Sequence, residues 1–148
     1  MYSCAFFGHR DYPYENFEGQ IRDSLIDLIE NYEVKEFYCG ARGDFDWLCA
    51  KIVYKLKAQY PFIKCICVWS YMPQKNERHP YFDGSVYLLE KKVPPLYAIS
   101  ETNRRLVDKV EYIISGVMHT WGGAWAAVER GIKKGKTIIH IAKKEKKL

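Results

Sequence analysis

Apolar, β-rich runs alternate with amphipathic stretches along almost the whole chain, and few folds accommodate that alternation. Residues 2–7 and 36–39 read as short buried strands, and 63–70 is an almost unbroken apolar run with Ile66 and Val68 inside it. Such a run suits a parallel strand covered on both faces. Between them, 17–32 carries Ile21, Leu25, Leu28 and Ile29 at helical spacing, with Arg22, Asp23, Asp27 and Glu30 opposite. From Asp44 onward, Trp47, Leu48, Ile52, Val53 and Leu56 give a second helix, with Pro61 past its end. The second half predicts a short strand at 96–99, a helix at 100–109 opened by a partial capping pattern at Ser100, and a strand at 111–117. A helix at 123–134 stopped by Gly135 and a last strand at 137–141 follow. Strands and helices in strict alternation are satisfied by a parallel sheet with helices on both faces. The fold class predicted is α/β: a single Rossmann-like three-layer sandwich with a mainly parallel sheet. One domain spans 1–142 and a basic tail 143–148. No G-x-G-x-x-G follows the first strand, so the standard dinucleotide fingerprint is absent.

Between 71 and 95 the pattern loosens. Pro73, Pro80, Gly84, Pro94 and Pro95 punctuate it, and the stretch reads as one long loop of the kind that often forms a functional lid.

Composition narrows the classes of function. A chain of 148 residues with 48% hydrophobic and 16% aromatic content buries a proper core and is not disordered. No run approaches the roughly 18 apolar residues of a membrane span, and the first residues lack a signal-peptide pattern, so a cytoplasmic location is expected. The five cysteines, Cys4, Cys39, Cys49, Cys65 and Cys67, are odd in number and sit mostly in apolar contexts, which assigns them a packing role. Neither a metal nor a cofactor is expected. The net charge of +5 is concentrated: residues 133–148 hold seven lysines and one glutamate, leaving the first 132 residues near −1. With no broad basic stripe, nucleic acid is an unlikely partner on this reading. The 23 aromatic residues exceed what one small core needs, and a homo-oligomer is expected.

Candidate chemistry clusters in the turns that follow strands, where an open α/β sheet binds its ligand. Gly8-His9-Arg10 joins a glycine, a titratable imidazole and a fixed cation. Gly40-Ala41-Arg42-Gly43-Asp44-Phe45-Asp46 offers close approach at Gly40 and Gly43. One of Asp44 and Asp46 is expected to cap the helix, leaving the other for a ribose hydroxyl or a water. Asn103 and Arg104 are candidate ligand contacts. His119-Thr120-Trp121-Gly122-Gly123 brings helix-start N–H groups, a hydroxyl, an imidazole and an aromatic plate on which a base could stack. Glu129 lies about two turns further along that helix.

These segments, with Phe6-Phe7-Gly8-His9-Arg10, residues 40–46, Tyr60-Pro61, Tyr71-Met72-Pro73, Asn103-Arg104 and Trp121-Gly122-Gly123-Ala124 in order, resemble the SLOG superfamily. More narrowly, they resemble its YpsA-like, DUF1273-type bacterial and phage members. The resemblance implies a Rossmann-like fold that binds nucleotides or nucleotide-derived molecules. The superfamily includes LOG-type phosphoribohydrolases, DprA, and sensor domains implicated in anti-phage signalling. LOG-type enzymes carry P-G-G-x-G-T-x-x-E, and aligning its glycines on Gly122 and Gly123 places Glu129 on the last glutamate. The remainder departs from that motif, with Trp125-Ala126 where Gly-Thr would help hold the phosphate.

The function expected is therefore binding of a nucleotide or NAD-derived small molecule at the carboxyl edge of the sheet, sensing or sequestering a signalling nucleotide in phage–host conflict. The alternative is an N-glycosidase or nucleotide hydrolase in which Glu129, Asp44 or Asp46 supplies the carboxylate, Glu129 and Asp46 foremost, and His9 or Arg10 holds the leaving portion. A third reading, a DNA-binding accessory like DprA, is disfavoured by the charge count.

Overall fold

In the computed structural model, residues 2–71, 79–90 and 92–141 are described. Six strands form a single all-parallel sheet in the order β4-β3-β2-β1-β5-β6. They are β1 (Tyr2–Gly8), β2 (Val34–Cys39), β3 (Lys64–Trp69), β4 (Gly84–Tyr87), β5 (Tyr112–Gly116) and β6 (Thr137–His140). Four α-helices connect them: α1 (Glu18–Tyr32), α2 (Asp44–Leu56), α3 (Pro95–Lys109) and α4 (Gly123–Lys133).

The period of two along β1 sorts its side chains between two cores. Cys4 and Phe6 pack on one face with Ile21, Leu25 and Leu28 of α1 and Phe45, Cys49 and Ile52 of α2. Ala5 and Phe7 point to the other face, where Leu106 and Val107 of α3 and Ala127 and Val128 of α4 cover them. A strand walled by helices on both sides has no polar face, which is why these central runs read as continuously apolar. All five cysteines are buried and none forms a disulfide.

Two expected elements differ. Residues 96–99 form no strand. They are the first turn of α3, which opens at Pro95, where proline's fixed φ suits the first helical position and its missing N–H costs nothing. Ser100 therefore lies inside the helix, its hydroxyl donating to the Tyr97 carbonyl at 3.2 Å. The missing strand lies inside the expected long loop as β4, a four-residue edge strand. Asp83 pins it: its backbone N–H donates to the Cys65 carbonyl at 2.8 Å, its carboxylate accepts from the Cys65 N–H at 2.8 Å, and Lys57 pairs with the same carboxylate. Residues 72–78 and 91 of that expected lid, and the tail 143–148, lie outside the described residues. Gly135 follows the end of α4 with φ +78°, as a helix-stopping glycine does.

Candidate functional site

Chain order reverses between β1 and β5, because β2 to β4 lie on one side of β1 while β5 and β6 lie on the other. Loops leaving the carboxyl ends of two such strands diverge, and a crevice opens between them. Here the turns at residues 8–11, 40–43 and 119–123 border a cleft of about 500 Å³. Tyr14, buried in the core, fixes its floor. Its hydroxyl accepts from the His9 backbone N–H at 2.8 Å and donates to the Gly116 carbonyl at 2.7 Å, tying the ends of β1 and β5 together.

One wall is the start of α2. Gly43 is its N-cap, and no side chain caps the helix. The Asp44 N–H donates instead to the Arg10 carbonyl at 2.9 Å. A Cβ at position 43 would lie 2.5 Å from the Arg10 Cα, so only glycine lets these two loops meet. Arg42 spans the cleft behind them. Its Nη1 donates to Ser70 Oγ and its Nη2 to Asn103 Oδ1, both at 3.1 Å, which joins the ends of β2 and β3 to α3. A guanidinium carries five N–H donors in a rigid fork, so these two bonds orient the group without exhausting it. The Arg42 backbone N–H donates to Asp46 Oδ2 at 3.0 Å. Loss of bulk water pushes the Asp46 carboxyl above its ordinary range, against the pull of that N–H and of the Arg42 and Arg10 charges.

The opposite wall is the start of α4. Gly122, at φ +94°, is its N-cap, again with no side-chain cap. Asn103 is buried, and its Nδ2 lies 3.9 Å from where a Cβ on Gly123 would stand. With Oδ1 accepting from Arg42, the amide N–H groups are the end turned toward α4. Above them three rings are stacked. His9 and His119 lie 3.8 Å apart with an 18° tilt, and His119 and Trp121 lie 3.7 Å apart with a 13° tilt. Trp121, 67% exposed, leaves its outer face to solvent. His9 Nε2 accepts from the Met118 N–H at 2.7 Å, and burial, then His119, lowers the His9 pKa. Two uncapped helix starts, two arginines and a buried amide thus present donors and positive potential to an oxyanion.

No family model and no curated protein sequence matches the chain. Solved structures do. DNA processing protein A (DprA) from Streptococcus pneumoniae superposes with a TM-score of 0.69 at 17% identity, over 95% of this chain and 50% of that one. DprA from Helicobacter pylori, described for its single-stranded DNA binding mode, gives 0.65 at 15% identity over 94% and 64%. The Moco Carrier Protein from Chlamydomonas reinhardtii gives 0.54 at 13% over 94% and 75%. The chain shares the Rossmann-like fold of DprA. It spans about half the length of the first of these proteins and under two-thirds of the second.

That likeness overturns the expectation that nucleic acid is an unlikely partner, since the chain has the fold of a protein that binds single-stranded DNA. The physical fault lies in using a net-charge sum. Single strands are held by stacked bases and a local line of phosphate contacts, and a whole-chain charge reports neither. Among the described residues, no helix is long and apolar enough to cross a membrane, and no three His, Cys, Asp or Glu side chains gather as a metal site would need.

Of the residues expected at the site, Gly8, His9, Arg10, Gly40, Gly43, Asp46, Asn103, His119, Trp121, Gly122 and Gly123 line the cleft together. Asp44, Arg104, Thr120 and Glu129 are not among its lining residues. Asp44 is exposed and caps nothing with its side chain, because Gly43 already occupies the N-cap. Arg104 borders a separate charged groove, where it pairs with Glu101 at 3.5 Å. Asp11, Tyr14, Arg42 and Ser70 also build the site, though no sequence motif singles them out. Arg42 stood inside a quoted turn, but its bonds to Ser70 and Asn103 join residues 28 and 61 positions away, which no local motif reveals.

Proposed function

We propose that this cleft binds a phosphorylated, nucleotide-derived ligand in the manner of a SLOG-type domain. The phosphate sits between the starts of α2 and α4, and a planar base lies toward Trp121. The observation that carries this reading is the convergence of two helix starts without side-chain caps, Arg10 and Arg42 on one cleft at the strand-order reversal. Free N–H groups and guanidinium forks both favour oxyanions, and about 500 Å³ is ample for a mononucleotide. Native mass spectrometry of the protein with a panel of nucleotides and extract metabolites is the test. A stoichiometric adduct released unchanged supports binding, and no adduct with any phosphorylated compound overturns it. Recovery of free base instead would identify glycosidic-bond cleavage, for which Asp46 and Asp11, not Glu129, are the carboxylates at the cleft.

A second reading is favoured by the open face of Trp121 together with the DprA fold: the nucleotide belongs to a single strand rather than to a free metabolite. Anisotropy with a labelled oligothymidylate separates the two. Strand binding weakens steeply with salt and with Trp121→Ala, whereas a free-nucleotide site leaves the oligomer unbound.

A further inference from the structure

The stack on the cleft wall has an imidazole in its middle, and that imidazole is incompletely satisfied. His119 lies between the His9 ring and the Trp121 indole, in face contact with both. Its Nδ1 is buried and has no hydrogen-bond partner among the described residues. A buried polar atom without a partner is unfavourable, and in a native fold it calls for a functional account. His9 is different, because its Nε2 already accepts the Met118 N–H and so cannot take a second proton without losing that bond. Proton uptake by the pair therefore falls to His119. Once charged, its ring would be sandwiched by the indole face, an arrangement that favours a cation.

Opposing that charge are the groups that line the same cleft. Arg10 leaves the loop after β1, Arg42 leaves the loop after β2, and the start of α4 presents the positive end of its dipole at Gly122 and Gly123. Asp11 and Asp46 are the carboxylates on the cleft, and Tyr12 and Tyr14 pack beside His9. The arginines and the helix start give the empty cleft a positive local potential. A divalent oxyanion bound among them reverses the local potential.

We infer that His119 takes up a proton from solution when an oxyanion fills the cleft, so that this site binds its anion and one proton together. The inference rests on the anion-binding reading above and adds a proton to its stoichiometry. Linkage fixes the sign. A group that binds protons more tightly in the complex makes affinity rise as pH falls, with a slope of at most one decade per pH unit for one proton.

Sulfate is the probe, because it stays divalent across the range where phosphate itself titrates. Calorimetric titration between pH 6 and 8, in two buffers of different ionisation enthalpy, reads affinity and proton count together. Expected are uptake of roughly 0.5 to 1 proton and an affinity loss approaching tenfold per pH unit on the alkaline side. His119→Phe keeps a ring in the stack and should bind with no pH slope. In the wild type, nitrogen-edited NMR of the imidazoles should show the His119 titration displaced to higher pH by sulfate while His9 stays put. Sulfate binding that is flat with pH, or a slope that survives in His119→Phe, overturns the proton coupling alone. No sulfate binding at any pH overturns the anion site and the coupling with it.

Discussion

A single methyl group added at Gly8 has nowhere to go. A Cβ there would lie 2.3, 2.4 and 2.6 Å from Phe45 Cγ, Cδ2 and Cβ, where carbon atoms in good contact stand about 3.5–4.0 Å apart. Gly8 pairs in register with Gly116 across β1 and β5, and a Cβ at Gly116 would meet the same ring at 2.6 Å. Phe45 thus fills a slot cut by two facing glycines under the cleft, fully buried. To admit Gly8→Ala the ring must retreat by roughly 1 Å, through a core packed to crystal density. Phe45 is the second residue of α2, so its retreat drags Gly43, Arg42 and Asp46 with it. Overpacking of this kind costs about 1–3 kcal/mol, and at this chain length each kcal/mol lowers Tm by about 2–4 °C. We expect Gly8→Ala to melt roughly 3–10 °C below wild type and to lose ligand affinity as well. Phe45→Ala removes the Cγ and Cδ2 that the new methyl group would meet first, leaving only Cβ. In urea titrations the double variant should recover about 1 kcal/mol or more relative to the sum of the single changes. A Gly8→Ala protein within about 0.5 kcal/mol of wild type, or strictly additive costs, would refute the slot.

Arg42→Gln should weaken nucleotide binding by roughly ten- to a hundredfold, about 1.4–2.8 kcal/mol, and Arg42→Lys should recover little because a point charge cannot bond Ser70 and Asn103 at once; calorimetry reads both. The thiols of Cys4, Cys39, Cys49 and Cys65 are pushed up by burial and all five cysteines are enclosed, so a disulfide-exchange reagent should find no reactive thiol in the native protein and five in denaturant. Asp108 accepts a two-pronged bond from Arg130 at 2.8 and 2.9 Å, which holds its carboxyl below the ordinary range. Its contribution is therefore present above the unfolded carboxylate value near 3.9 and fades as pH falls below it. Because the pair is largely exposed, Asp108→Asn should cost under about 1 kcal/mol at pH 7 and progressively less as pH falls below about 3.9, as urea titrations across that range would show.

Much of this fold could be read from the chain because its central strands are apolar on both faces and its helices amphipathic, so each period is set by burial. The edges were harder. β4 is four residues long and pairs on one side only, so Gly84-Ser85-Val86-Tyr87 carries neither alternation nor a continuous apolar run. The start of α3 was misplaced because Leu96, Tyr97 and Ile99 look strand-like until Pro95 is taken as a helix-opening residue. At the site, residues that act through their own turn were legible: Gly8 ends β1, and Gly43 and Gly122 open α2 and α4. Tyr14 and Arg42 were not, because their roles lie in bonds to Gly116, Ser70 and Asn103 that exist only once the sheet is assembled. The charge sum misled for a related reason, since recognition depends on where cations and rings converge.

Nitrogen–proton correlation spectra of the labelled protein, recorded while a nucleoside monophosphate is titrated in, test the central claim most directly. The account predicts saturable shifts concentrated at the amides of Gly8 to Arg10, Gly43 and Asp44, and Gly122 to Ala124, with the Trp121 indole N–H moving alongside them. Shifts confined to the charged groove of Arg104, Arg105 and Arg130, or none at millimolar ligand, would contradict it.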